Sequence, residues 1–317
     1  MTRGRSAAHL YRLHLALAGV ALALVLGTGA VVVAGADPTL PSAGAIASAC
    51  DSWLSAGGPA ALASLALALL ALVTLALGLR SAARQVLATR RYLHSLPFSD
   101  SPGKIAGASC VVIESAEPQA FCAGYLQPRI YLSRGTLDTL KDHQLEAIAA
   151  HELHHLRRRD PLRLLVARAL ADALFFIPLL RRMSERYADL GELAADEAAV
   201  RRLESHGPLA GALLKFSGGT GQSAPVVAVA PERVDHLLGH PEAGRWGLPA
   251  SLVGRSTLIL IGLAALLLSA WHGLFAPSLE LPLMLAGGCM VVMIGGPIAI
   301  AVWAVAYSRR TLRTRRA

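Results

Sequence analysis

Charge is scarce in this chain. Only 16% of its 317 residues are Asp, Glu, Lys or Arg and only 5% are aromatic, whereas 54% are apolar. That balance argues against one large soluble core and for membrane spans. Cysteine is also scarce: Cys50, Cys110, Cys122 and Cys289 form no CxxC pair, and Cys289 lies inside an apolar run. This excludes a disulfide framework and a cysteine-based zinc site, and leaves Cys110 and Cys122 as expected buried thiols in a reducing compartment. Basic residues interleaved with aromatics are absent too, so the net charge of +9 does not read as a nucleic-acid surface, and direct nucleic-acid binding is not expected. The arginines instead cluster beside apolar runs.

Four of those runs reach the roughly 20 residues a helix needs to cross a bilayer: 13–35, 58–79, 256–275 and 283–307. Their flanks agree with one another. Arg3, Arg5 and Arg12 precede the first run, and Arg80, Arg84, Arg90 and Arg91 follow the second. The loop between these two runs has no Lys or Arg, nor does the link between the last two, while the tail SRRTLRTRRA is rich in arginine. The positive-inside rule then puts both termini and the whole 80–255 region in the cytoplasm of a multi-pass cell-membrane protein. Ala34-Gly35-Ala36 resembles a signal-peptidase site, but the run before it is longer than a signal peptide needs, which favours an uncleaved anchor. A further apolar stretch, 162–180, is interrupted by Arg163, Arg168 and Asp172. Charges are expensive in mid-membrane, so it is expected as a buried or membrane-surface helix of the cytoplasmic domain.

The chain therefore divides into a membrane region at 1–95 with a basic cytoplasmic linker, a cytoplasmic domain at 96–255, and a second membrane region at 256–317. The expected fold class is a mainly α membrane protein with an α+β cytoplasmic domain. KIAGASCVVIES and RIYLS, bounded by Pro and Gly turn signals, predict a small sheet of two or three strands. Asp142 is a plausible N-cap for the helix HQLEAIAAHELHHLRRR, which Pro161 should end near Asp160. A second helix is expected from about Met183 to Leu203, and residues 217–255 read as loops with short helical pieces.

The chemistry concentrates in HELHHLRRRD, residues 151–160. His151 and His155 are four apart, so on a helix both imidazoles project from one face and can hold one ion. Glu152, beside that face, can take a proton from a metal-bound water. His154 points roughly 100° away from His151 and is not expected to bind the same ion. A catalytic zinc needs a third protein ligand and an open position. ELAAD supplies Glu192, with Asp196 one turn later to accept the spare N–H of a ligand histidine. The competing readings are a solvated basic helix end for HELHH and, for Glu192 and Asp196, an acidic helix face pairing with Arg201 and Arg202.

With ELAAD following it, HELHHLRRRDPL resembles the integral-membrane zinc metallopeptidases of the BlaR/MecR type. These are gluzincins related to the HtpX-like and CAAX-processing proteases. FCAGYLQPRIYLSRG (121–135) is similar to the family's segment before the active-site helix, and PERVDHLL (231–238) to an element after the helical core. The resemblance covers about 96–240 plus the flanking spans. It implies a gluzincin-like fold, one Zn2+ ion held by His151, His155 and Glu192, Glu152 as base, and Asp196 supporting a ligand histidine. It also implies that Ala120, Phe121, Cys122, Ala123 and Gly124 form the edge receiving a substrate strand. The penicillin-binding sensor domain of the β-lactam sensors is expected to be missing. A cytoplasmic repressor as target follows by analogy only.

Other residues carry less. His236, His240, Tyr187 and Arg201 are candidate oxyanion donors among which the sequence does not choose. Asp160 is expected to be structural, Arg157, Arg158 and Arg159 a solvated or membrane-facing cluster, and His272 incidental. The leading reading is a zinc endopeptidase cutting a protein or peptide at the cytoplasmic face of the lipid bilayer. A non-catalytic signalling or scaffold protein with a structural or vestigial zinc site is the alternative. A transporter would require 162–180 to span.

Overall fold

The computed structural model describes residues 3–34, 36–37, 42, 44, 58–105, 107–217, 248–271 and 279–280. The run at 283–307, PERVDHLL, His236, His240, His272, Cys50 and Cys289 lie outside the described residues. Among the described residues, three helices are long and apolar enough to cross a membrane: α1 (Arg3–Ala34), α2 (Gly58–Ser95) and, last in the chain, α8 (Ala250–Trp271). Leu, Ala and Val fill their middles, and their exposed faces are apolar too, as expected of helices solvated by lipid.

These helices run beyond the apolar stretches. α2 continues for four more turns after Arg80, through what reads in sequence as a basic linker. A four-stranded sheet follows, formed by β1 (Phe98–Ile105), β2 (Ala108–Ile113), β3 (Ala120–Ala123) and β4 (Arg129–Ser133) in the order β1-β2-β4-β3. It exceeds the two or three expected strands. FSDSPGKI hides β1 because Pro102 sits at a shift in register, a place where a strand tolerates proline. β2 pairs parallel with β4, and β3 pairs antiparallel with β4, which leaves β3 on the sheet edge. One sheet face, with Cys110, Ala120, Ile130 and Leu132, packs in a core with Ala147, Ile148 and Ala150.

After the short α3 (Arg134–Thr139) come α4 (Asp142–Arg158), α5 (Asp160–Ala173), α6 (Pro178–Leu203) and α7 (Gly207–Ser217). The N-cap of α4 is Lys141 rather than Asp142; the Gln144 side chain reaches back to accept its backbone N–H at 3.1 Å. Asp142 instead places an acid in the first turn, where the helix dipole favours it. α4 ends at Arg158, near Asp160 as expected. Arg159 turns left-handed (φ 53°, ψ 41°), at a cost of roughly 1–2 kcal/mol for a side-chain-bearing residue, and Asp160-Pro161 starts α5 at once. The stretch 162–180 is not one helix, because the chain breaks between Ala173 and Pro178. α6 then begins five residues before the expected Met183, since Pro178 fits the first helical turn.

Two compact units result. One comprises residues 1–20 and 75–259, with the sheet and helices α3–α7; the other comprises 21–74 and 260–317. In the second unit, α1 and α2 approach so closely at Gly29 that a Cβ there would lie 2.7 Å from that of Ala71. Its described part also holds a two-residue parallel pairing of Ala36–Asp37 with Leu279–Glu280.

Candidate metal centre

Ile148, His151, Glu152 and His155 follow the i, i+3, i+4, i+7 spacing of a single helix face, and all four line a cavity of about 760 Å³ in the first unit. His154 is absent from that lining. α6 packs across α4 with small residues at the contact, Ala199 sharing one core with Ala147 and Ala150. Small side chains hold two helices near the short end of the usual 8–10 Å separation. Glu192 and Asp196 can therefore reach His151.

The three expected ligands converge. His151 Nε2 and His155 Nε2 are 3.2 Å apart, and the two Glu192 carboxylate oxygens lie 3.6 Å and 3.5 Å from them. Zinc binds nitrogen at about 2.0–2.1 Å, so neighbouring ligand atoms on a tetrahedron are roughly 3.3 Å apart. The two nitrogens stand near that spacing, and one ligand atom from each of the three residues lies within 4.8 Å of the others. The donor set, two imidazoles and a carboxylate, is one that zinc accepts.

Each histidine also has a carboxylate behind it. His151 Nδ1 lies 2.9 Å from Asp196 Oδ1, at hydrogen-bond length although off the ideal N–H direction. His155 Nδ1 lies 2.9 Å from Asp160 Oδ2. A carboxylate at Nδ1 holds the ring proton there and leaves the Nε2 lone pair facing the shared point. Burial alone would depress the pKa of His151, but Asp196 and Glu192 overcome it and raise it to about 10. Burial likewise disfavours the Asp160 carboxylate, yet the hydrogen bonds from His155 and Tyr187 and the nearby Arg158 hold its pKa below the usual range.

The role of Asp160 is the main point that sequence reasoning misses. The left-handed turn at Arg159 brings Asp160 back beside His155, five residues earlier. Tyr187 donates to the other Asp160 oxygen at 2.9 Å and is itself buried, so its hydroxyl is committed rather than aimed at a substrate. Arg201 pairs with Glu197 at 3.1 Å on an exposed surface. Arg158 departs from the expected solvated cluster: it turns inward, 3.6 Å from Asp160, and donates to the Gly4 carbonyl. Arg157 and Arg159 stay exposed.

Glu152 is buried and lines the cavity beside the ligands. Ala120, Phe121, Cys122, Ala123 and Gly124 line it as well, along the edge strand β3. Burial and the nearby Glu152 and Asp160 carboxylates push the Cys122 thiol far up, away from thiolate chemistry. Gly124 ends the strand at φ 103°, where a Cβ would meet the Gln127 carbonyl at 2.7 Å. A second missed group comes from α2. Gln85, Ala88, Thr89 and Tyr92 line the cavity with the same i, i+3, i+4, i+7 spacing, a signal legible in the sequence. The Tyr125 hydroxyl ties this face to the loop after β3 through Thr89 Oγ1 at 2.7 Å and the Gln85 carbonyl at 3.1 Å.

Residues 107–238 match the family model of the BlaR1 peptidase M56, which supports a BlaR/MecR-type peptidase family and a membrane metallopeptidase-like role. No curated protein and no solved structure matches this chain.

Proposed function

We propose that this protein is a zinc-dependent membrane endopeptidase that cuts a protein or peptide at the cytoplasmic face. The observation that carries this reading is the convergence of His151 Nε2, His155 Nε2 and the Glu192 carboxylate on one point of a cavity that Glu152 also lines. His151, His155 and Glu192 would hold the ion, with Asp196 and Asp160 orienting the two rings. When bound, zinc supplies a Lewis acid that polarises a carbonyl and brings the pKa of water to about 7. Glu152 accepts the proton from the attacking water and returns it to the leaving amine. A substrate segment adds to β3 as an extended strand, its backbone pairing with the open edge at residues 120–123. The gluzincin arrangement agrees with a glutamate ligand on a second helix. The cytoplasmic placement rests on the arginine distribution around the apolar runs. A cytoplasmic repressor is a target by family analogy.

Zinc content and cleavage of an unfolded protein such as casein, measured on the full chain in detergent, test the reading. Wild type should hold one zinc and cleave. Glu152→Gln should keep the zinc and lose roughly 10²–10⁴-fold in rate, while His151→Ala should lose both. Full activity in Glu152→Gln would refute the base, and a wild type that binds no zinc would overturn the enzyme.

A further inference from the structure

The segment between α5 and α6, ALFFIPL at 173–179, is an apolar turn whose tip points outward. Leu174 and Ile177 are completely buried and clamp the turn, whereas Phe175 is 58% exposed. Three neighbouring helices fix its depth. On α2, Gly78 faces Ala173 so closely that a Cβ there would lie 3.1 Å from the alanine methyl, and Gly78 stands two residues before Arg80. On α8, Ser256 Oγ accepts from the Leu179 N–H at 3.4 Å, and Ser256 directly follows Arg255. On α1, the Arg163 guanidinium sits over the Tyr11 ring at 5.5 Å, and His14 lies beside the Ala167 backbone. α5 therefore runs alongside α1 in the direction in which α1 enters its apolar run. From Ala167 to Ala173 it advances about 9 Å further.

All three rulers agree. The turn lies at the level where the candidate spans change from arginine to apolar sequence, with its tip on the apolar side. Exposed Leu79 (72%) and Leu258 (70%) stand at that same level on α2 and α8. Exposed Arg181 lies two residues past Leu179, as Arg80 lies two past Gly78, so basic heads border the apolar band from three helices. This is the arrangement of snorkelling residues at a bilayer interface. The charges of 162–172 are settled below the tip. Asp172 accepts from Ser81 and lies 4.0 Å from Arg84, Arg163 stacks on Tyr11, and Arg168 lines the cavity. No charge occurs from Ala173 to Leu180.

We propose that residues 173–179 dip into the membrane as a re-entrant hairpin, with Phe175 among the acyl chains of the leaflet on the metal-centre side. Singly, an exposed phenylalanine is ordinary, but Phe175 shares its level with exposed Leu79 and Leu258, an apolar band that lipid would cover and in which Phe175 acts as an anchor. The anchor also holds α5, and with it Leu164, Leu165 and Arg168 of the cavity wall, close beneath the headgroups. It is independent of the proteolytic reading, because neither a bound metal nor activity bears on where the turn lies.

Tryptophan fluorescence on the full chain in phosphatidylcholine–phosphatidylglycerol vesicles tests it. Trp53, Trp246, Trp271 and Trp303 are changed to Phe, and single tryptophans are introduced as Phe175→Trp and, for a water-facing reference on α4, His143→Trp. Phe175→Trp should emit to the blue of the reference. It should lose most of its emission to dibrominated acyl chains and little to acrylamide, and the reference should do the reverse. Quenching of Phe175→Trp by acrylamide like the reference would overturn the proposal. So would protection from both quenchers, since that would place the tip inside a protein contact. Should Phe175→Trp fail to reconstitute, the half-buried neighbour Phe176→Trp takes its place with the same outcomes.

Discussion

The two helices that meet at the candidate centre contribute in opposite ways. α4 supplies His151, Glu152 and His155 within five residues, and helical geometry alone puts them on one face. α6 supplies Glu192 and Asp196 about 40 residues later, and only the packing of α6 on α4, with Ala199 in one core with Ala147 and Ala150, brings them into range. α4 is thus set by local periodicity and α6 by tertiary contact. If the centre is one unit, damage on either helix should read out in the same metal.

Removing Glu192 gives the largest effect. Glu192→Ala leaves two imidazoles and no carboxylate ligand, so zinc content should fall as far as in His155→Ala, with proteolysis lost in both. Zinc analysis after dialysis of the folded, monodisperse protein checks this. If Glu192→Ala retained full zinc, α6 would be a spectator and the comparison would break.

The two carboxylates behind the histidines come next, Asp196 on α6 and Asp160 at the start of α5. Asp196→Asn and Asp160→Asn should each weaken metal binding about 10–100-fold, the usual range for such partners. Competition with a chelator gives both values on one scale. The proton balance differs. In the metal-free protein, burial opposes the charge on His151, but Asp196 and Glu192 outweigh it and raise its pKa to about 10. Near neutral pH the ring is protonated, so metal uptake must expel a proton. Apparent affinity therefore rises with pH, up to about that value. Calorimetry in two buffers of different ionisation enthalpy should show proton release in wild type and less in Asp196→Asn.

These same contacts mark what the sequence makes legible. HELHH and ELAAD carry their meaning in residue type and spacing, because a helix converts spacing into direction without outside help. Asp160 was visible as a helix-ending acid, but its partnership with His155 depends on the left-handed turn at Arg159, a conformation that favours glycine and that nothing in RRRD announces. β1 was obscured by Pro102, and the 173–179 turn by an apolar run that continues through the break as if it were one helix. The stripe of Gln85, Ala88, Thr89 and Tyr92 was present as a pattern, but a helix emerging from an apolar run offers no hint that its polar continuation faces a cavity.

Tyr187 sharpens the comparison at smaller scale, since it joins α6 to the acid that supports α4. Tyr187→Phe removes one hydrogen bond to Asp160 and keeps the ring against Tyr11, 5.0 Å away. One such bond contributes about 0.5–1.5 kcal/mol, so metal affinity should fall by no more than roughly tenfold. In the cobalt-substituted protein the visible spectrum should shift with it, a change that loss of packing alone would not cause. An unchanged affinity and spectrum would show that His155 is oriented without this link.

His154 gives the smallest effect on the metal and a different one on stability. It lies on α4 between the two ligands but off their face, so His154→Gln should leave zinc content and cleavage unchanged. Its Nε2 is buried without a hydrogen-bond partner among the described residues, and its pKa is lowered to about 4, first by burial and then by His155 and Arg158. The folded state thus resists a proton that the unfolded chain accepts near the ordinary value of 6.5. As pH falls from about 6.5 to about 4, the unfolded state gains that proton and the folded state does not, so stability drops across this window and is fully present above it. Thermal unfolding in detergent should show this slope flattened in His154→Gln relative to wild type, whereas an equal slope in both would assign the acid sensitivity to other groups. The outcome separates the three histidines of one helix by the direction each faces: two set the metal, and the third sets only how the helix tolerates acid.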